Sequence, residues 1–320
     1  MSKYKYQIEH TVAMKGVFNR LLQQKDLENP EILEKVRGEQ CHIYMICSRP
    51  RISFDSSNFN IKKEEVSGSF IIDKGEIKEE HPFNVLNPPN LSIKSYELKF
   101  PYTNIDLLNE NGEVVSGGKS AFLYPKLQTK YNSCLDLEVL YIGQAFGSNG
   151  ERLATDRLSS HSTLQKIYAD TIASFPNKDV WIILWKFEPY IISMMGSGFE
   201  DALTDLQGSI EHLNSVLGSS ITFDQQITFT EAALIKYFEP IYNKEYKTNF
   251  PTRSHSSYNQ CYQLDINSVA FELDTKNLIT QLYSPATRPS IWHSKHFPLH
   301  SEDIRKDMFK HFDTIIGINR

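Results

Sequence analysis

A chain of 320 residues, 40% hydrophobic and 23% charged, has material for a sizeable core and for two domains, or one with large additions. Its formal net charge of -5 at pH 7 excludes a surface coated in basic residues but leaves room for a local basic groove. The 4 cysteines (Cys41, Cys47, Cys134, Cys261) form no C-x-x-C pair, the N-terminus is broken by charges, and no apolar run approaches a membrane span, so a reduced, cytoplasmic protein is expected.

In chain order, the first predicted element is a helix over Thr11–Gln24, on the spacing of Val12, Val17, Leu21 and Leu22. Pro30–Val36 predicts a second, with Pro30 in the first turn and Gly38 as the stop. CHIYMICS (41–48) reads as a strand, SGSFIIDKGEIKEEHPF (67–83) as a hairpin turning at Asp73-Lys74-Gly75, and SIKSYELKF (92–100) as another strand. The turn-rich run NENGEVVSGGKS (109–120) marks a boundary, so residues 1–115 are expected to form an α+β unit of their own. SAFLYPKL (120–127) then predicts a strand, and LEVLYIG (137–143) a buried one, stopped by Gly143. The next stretch is helical, with Leu158, Leu164, Ile167 and Ile172 on one spacing and Arg157 and His161 one turn apart. DVWIILWKFEPY (179–190) has the composition of a central strand, and DALTDLQGSIEHLNSVL (201–217) that of an inserted helix. SSITFDQQITF (219–229) suggests a short strand ahead of a helix that Thr230 caps and Glu231 begins, closing at Pro240 and Asn243. Beyond residue 250, CYQLDINSVAFELDT predicts two short strands, TRPSIWHSKHFPLHSED a loop, and SEDIRKDMFKHFDTII a terminal helix.

A strand ending Tyr141-Ile142-Gly143, then Arg157 and His161 on a helix, then Glu231 on another helix followed by Pro240-x-x-Asn243, resembles the GIY-YIG nuclease family. The resemblance covers roughly residues 118–250 and implies an α+β fold: a small mixed or antiparallel sheet flanked by helices, here with the 1–115 unit before it and a 251–320 extension after it. It also implies a first strand ending Gly-Ile-Tyr. Those letters are missing, and Phe122-Leu123-Tyr124 is the nearest stand-in, which leaves open whether Tyr124 or Tyr141 alone attends the attacking water.

By that resemblance Glu231 is the carboxylate that holds a single Mg2+ or Mn2+, since magnesium accepts one protein oxygen plus waters and substrate phosphate. Arg157 offers a planar donor fork to the scissile phosphate. His161 acts as acid or base near neutral pH, with Tyr141 or Tyr124 on the water. Gly143, Asn243 and Lys166 fall to the substrate side, and Asn243 is expected to hold the surroundings of Glu231. The implied function is a metal-dependent endonuclease, on DNA more than RNA, of the kind used in bacterial restriction or phage defence. The N-terminal unit would select targets or mediate assembly with itself or a partner. The alternative is a protein that keeps the fold for nucleic-acid binding or assembly and has lost hydrolysis. A separate cluster, His293, His296 and His300 with His255 or Cys261, has ligand types for zinc but no ligand spacing. No P-loop, dinucleotide fingerprint or nucleophile elbow occurs.

Overall fold

The computed structural model describes residues 3–87, 90–128, 130–145, 154–158, 162–219, 221–253 and 259–310. In chain order the elements are β1 (Glu9–Leu22), α1 (Pro30–Gly38), β2 (Ile43–Ile61), β3 (Glu65–Asp73), β4 (Lys78–Leu86), β5 (Ser95–Leu98), β6 (Asn104–Leu108), β7 (Val114–Lys119) and α2 (Ser120–Leu127). There follow β8 (Leu137–Gln144), α3 (Ala154–Leu158), α4 (Ser162–Ser174), β9 (Lys178–Met194), α5 (Leu206–Gly218), α6 (Phe223–Phe238), α7 (Asn259–Gln263), β10 (Ser268–Asp274), β11 (Leu282–Ser284), β12 (Thr287–Ser290) and β13 (Trp292–Pro298).

The fold is α+β, and its main sheet draws on the whole chain. Its order is β12-β11-β8-β2-β9-β1-β10-β13, and β12 leads through Ile291 directly into β13, so the two outer strands are neighbours in sequence and the sheet is nearly closed. Inside the curve lies α6. From Ile227 onward it is enclosed: α6 buries Ile227, Phe229, Ala232, Ala233, Leu234, Ile235 and Phe238 against side chains from β1, β2, β8, β9, β10, β11 and β13. Trp181 and Trp185 of β9 fill the same core, and each large side chain of this kind contributes roughly 2–3 kcal/mol by burial. The other face of β2 and β9 carries Tyr44, Ile46, Val180, Ile182 and Leu184 against α1, α3 and α4.

These pairings correct the expected division at residues 115 and 250. β1 and β2 sit between strands of the second and third segments, and β10 is the parallel partner of β1. What stands apart is an excursion within residues 52–135, where the far half of β2 with β3 and β4, the three-stranded β5-β6-β7 sheet and α2 build their own core.

Several elements differ from expectation, β1, β12 and β13 because long-range pairing overrides local spacing. Thr11–Gln24 is not a helix: β1 is buried almost continuously from Glu9 to Met14 and pairs with β9 along its length. SAFLYPKL is the helix α2, not a strand, and the 219–229 stretch enters α6, whose first residue is Phe223. CYQ lies in α7, not in a strand, and the expected loop at 287–303 contains β12 and β13. Residues 301–309 form turns, not helix, and residues 311–316 of the expected terminal helix lie outside the described residues.

Candidate functional site

The site forms where β2 and β8 run antiparallel, in the register Tyr44 opposite Gly143 and Ile46 opposite Tyr141. Strict alternation from Leu137 and Val139 would send Tyr141 into the α6 core. A bulge prevents this: the register slips between Ile46↔Tyr141 and Cys47↔Val139, leaving Leu140 as the extra residue. One inserted residue reverses the facing of everything after it. Val139 and Ile142 accordingly join the α6 core, while Leu140 and Tyr141 join Tyr44 on the α3 face. The two tyrosine rings lie 6.2 Å apart by centroid.

Gly143 makes that approach feasible. A Cβ there would stand 2.5 Å from the Tyr44 ring and hydroxyl and 2.8 Å from Tyr141, well inside contact distance. Above the pair, α3 supplies Arg157, whose Nε donates to the Tyr44 hydroxyl at 3.2 Å. Burial lowers the Arg157 pKa, but the two tyrosines and Glu231 outweigh it and the net direction is up. Burial raises both tyrosines, with Glu231 adding to the effect.

Glu231 reaches this group from inside the curved sheet. It is the ninth residue of α6, not its start: Thr222 is the cap position, and Thr230 is mid-helix, its hydroxyl donating to the Gln226 carbonyl at 2.6 Å. The route is an opening along the edge of β8, since β11 pairs with β8 only at Leu137 and Glu138. Further along that edge the backbone groups are met one by one. Tyr242 N–H donates to the Leu140 carbonyl at 3.1 Å, the Asn243 amide accepts from Ile142 N–H at 2.9 Å and donates to its carbonyl at 2.8 Å, and Gln144 N–H bonds the Glu231 carboxyl. Asn243 thus takes the place of an edge strand, and holds Ile142 rather than Glu231. Burial pushes the Glu231 carboxyl up to about 7, against the pull of Arg157 and the Gln144 hydrogen bond.

Of the residues singled out in the sequence, Tyr141, Gly143, Arg157, Glu231 and Asn243 meet at this corner. Lys166 is exposed on α4 with its ammonium 5.9 Å from the Tyr242 ring, beside the same 240–243 turn. Tyr124 does not join them. It is buried in the 52–135 module with its hydroxyl 3.1 Å from His81 Nδ1, because α2 never pairs with β8. His161 lies outside the described residues. The residue missed in the sequence is Tyr44, whose signal was present as His42-Ile43-Tyr44 within the predicted CHIYMICS strand.

The three C-terminal histidines have separate partners. His293 meets the Tyr237 hydroxyl and the Ser290 carbonyl, His296 meets Asp307, and His300 meets the Ile266 carbonyl. Among the described residues no group of three or more His, Cys, Asp or Glu side chains is arranged to hold a metal, and His255 lies outside them. A single-carboxylate site is a different matter. Glu231 is one carboxyl, and the residue that bonds it, Gln144, has a buried side-chain oxygen with no hydrogen-bond partner among the described residues. Two oxygens of this kind suit a hard divalent cation that keeps most of its waters.

Comparison with protein-family models finds no match to the chain, and neither curated proteins nor solved structures match it.

Proposed function

We propose that this chain is a metal-dependent endonuclease with a GIY-YIG-like site, hydrolysing phosphodiester bonds in nucleic acid, with DNA as the expected substrate. The observation that carries the reading is the Arg157–Tyr44 hydrogen bond opposite Gly143, with Tyr141 and Glu231 in the same electrostatic group. On this reading His42-Ile43-Tyr44 is the counterpart of the family's Gly-Ile-Tyr, with a buried histidine that bonds the Ala145 carbonyl in place of the glycine. A tyrosine at this level of β2 supports hydrolysis over the alternative of a fold kept for nucleic-acid binding or assembly.

Mg2+ or Mn2+ on Glu231, with Gln144 Oε1 as a second oxygen, would supply charge for the phosphate oxygens and a more acidic water. The chain's own groups do the rest. Arg157 is oriented by its Nε bond to Tyr44 and presents its remaining N–H groups to a phosphate. The Tyr44 and Tyr141 hydroxyls are positioned to orient a water nucleophile and pass on its proton. Glu231, near neutrality in its pKa, gives up its proton when a cation binds.

The test is cleavage of plasmid DNA, single-stranded DNA and RNA with Mg2+ or Mn2+, for the wild type and Glu231→Ala. Cation-dependent cleavage lost in the variant supports the reading. Cleavage that survives Glu231→Ala, or no cleavage of any substrate with either cation, overturns it.

A further inference from the structure

The 52–135 module leaves part of its own core unfilled. Where the far half of β2, β3 and β4 meet β6, β7 and α2, a cavity of about 190 Å³ remains. Phe54, Phe59 and Phe83 form part of its wall, their ring centroids 5.9, 6.1 and 6.4 Å apart and their planes crossing at 61–85°. Two glycines help to shape the space. Gly68 of β3 lets the Phe59 and Phe83 rings close onto the strand, since a Cβ there would stand 3.0 Å from each. Gly117 of β7 lines the cavity and puts no side chain into it.

Close packing normally leaves few voids larger than a water molecule, and an empty apolar cavity costs stability that grows with its volume. Among the described residues no Lys, Arg, His, Asp or Glu lines this one, and Ser116 alone brings a side-chain polar atom to it. The lining reaches solvent at Leu86, which is 83% exposed at the end of β4, and at Ser116 and Gly117, so a ligand has a way in.

We infer that this cavity is a binding site for a small neutral aromatic molecule, one ring with a short substituent or two fused rings. The volume sets the size: an apolar cavity of about 150 Å³ stays free of water and takes up benzene. The wall sets the chemistry. A charge of either sign would be buried there without a counter-group, whereas the three phenyl rings offer the edge-to-face contacts that aromatic rings prefer. The site lies in a core separate from that of Tyr44 and Tyr141 and does not depend on what the Glu231 corner does.

Calorimetry and thermal melting of the full chain test it, with toluene and indole as neutral probes and benzoate and benzylamine as rings carrying a charge of either sign. Wild type should bind both neutral probes, with Tm rising as the logarithm of ligand concentration, and should bind the charged pair at least about tenfold more weakly. Val85→Phe on β4 and Leu123→Phe on α2 each enlarge a half-buried side chain of the wall, and each should abolish binding of toluene and indole. Val17→Phe on β1, outside the module, is the matched control and should bind as wild type does. No response of wild type to either neutral probe at millimolar concentration overturns the inference, as does a response to the charged rings equal to that for toluene. Wild-type binding retained in both enlarged variants overturns it too. Should one of these fail to fold, the other decides.

Discussion

Tyr44 and Gly143 stand opposite each other across the β2–β8 pair, so close that any side chain at 143 would meet the Tyr44 hydroxyl at 2.5 Å. Two segments far apart in sequence are thereby committed to one geometry, and the Arg157 bond to Tyr44 rests on it. Gly143→Ala should cost about 1–3 kcal/mol by overpacking, since the clash is with a buried ring that cannot rotate away. Denaturant melting measures the loss, and a variant as stable as wild type would mean the rings have room the geometry denies.

Tyr44→Phe separates the hydroxyl from the ring. The core loses no apolar volume, and the hydrogen bonds of the Tyr44 hydroxyl with Arg157 and Tyr141 are lost, about 1 kcal/mol each. If Tyr44 attends the water, single-turnover cleavage should fall by roughly 100-fold with little change in affinity. Tyr124→Phe is the matched control: its hydroxyl serves His81 in a different core, so it should affect stability and leave turnover alone. Equal turnover in both variants would remove Tyr44 from the site.

How far the sequence led can be argued from these same residues. β9, α1 and the β3–β4 hairpin were legible because each announces itself locally: an unbroken β-branched and aromatic run, a first-turn proline, a turn at Asp73–Gly75. β1 was not, because its apolar residues fall at helical spacing as well, and only pairing with β9 and β10 decides between the two. Tyr141, Arg157, Glu231 and Asn243 could be singled out because they follow the order of the motif the chain resembles, and the fold brings them to one corner. Tyr44 was not, because the 52–135 module separates β2 from β8, and a search for the partner strand close to Tyr141 met α2 instead. The bulge at Leu140 is invisible to periodicity, since LEVLYIG alternates without a break.

Asn243 offers a test of positioning without chemistry. Its amide meets both backbone groups of Ile142, which no strand covers at that level of β8. Asn243→Ala leaves a buried N–H and a buried carbonyl without partners, at about 2–4 kcal/mol in all. Asn243→Asp keeps the acceptor for Ile142 N–H but sets a carboxylate against the Ile142 carbonyl, so it should rescue little. Hydrogen exchange at Ile142 reads the effect directly, and unchanged protection in Asn243→Ala would show that β8 needs no such clamp.

Arg157→Lys asks whether the fork or only the charge matters. Lysine cannot donate to Tyr44 and present a planar edge to phosphate at once. A loss of ~100-fold or more in turnover is expected, with stability changed by less than about 1 kcal/mol because Arg157 is only partly buried. Near-full turnover in the lysine variant would make the Tyr44 bond a structural detail.

Glu231 allows pH dependence, stability and the proposed metal binding to be tested together. Burial raises its carboxyl from 4.5 to about 7 in the folded chain, with Arg157 and the Gln144 hydrogen bond opposing. Between those two values the folded state keeps a proton that the unfolded state releases. The group's contribution to stability is therefore full below about 4.5 and is lost as pH rises through about 7, by on the order of 1–3 kcal/mol once its partial exposure is allowed for. Glu231→Gln replaces the carboxyl with a neutral group of the same shape and should have no such slope. Wild-type Tm, measured against Glu231→Gln, should fall from pH 4.5 to 7 and then level. On the proposed function Mg2+ or Mn2+ would bind the ionised form, so either cation should raise wild-type Tm above pH 7 and leave the variant unmoved. Cleavage should increase with pH across the same interval, as the site sheds the proton that competes with the metal. Parallel Tm curves for the two proteins, with or without cation, would show that Glu231 does not titrate in this range and is no metal ligand.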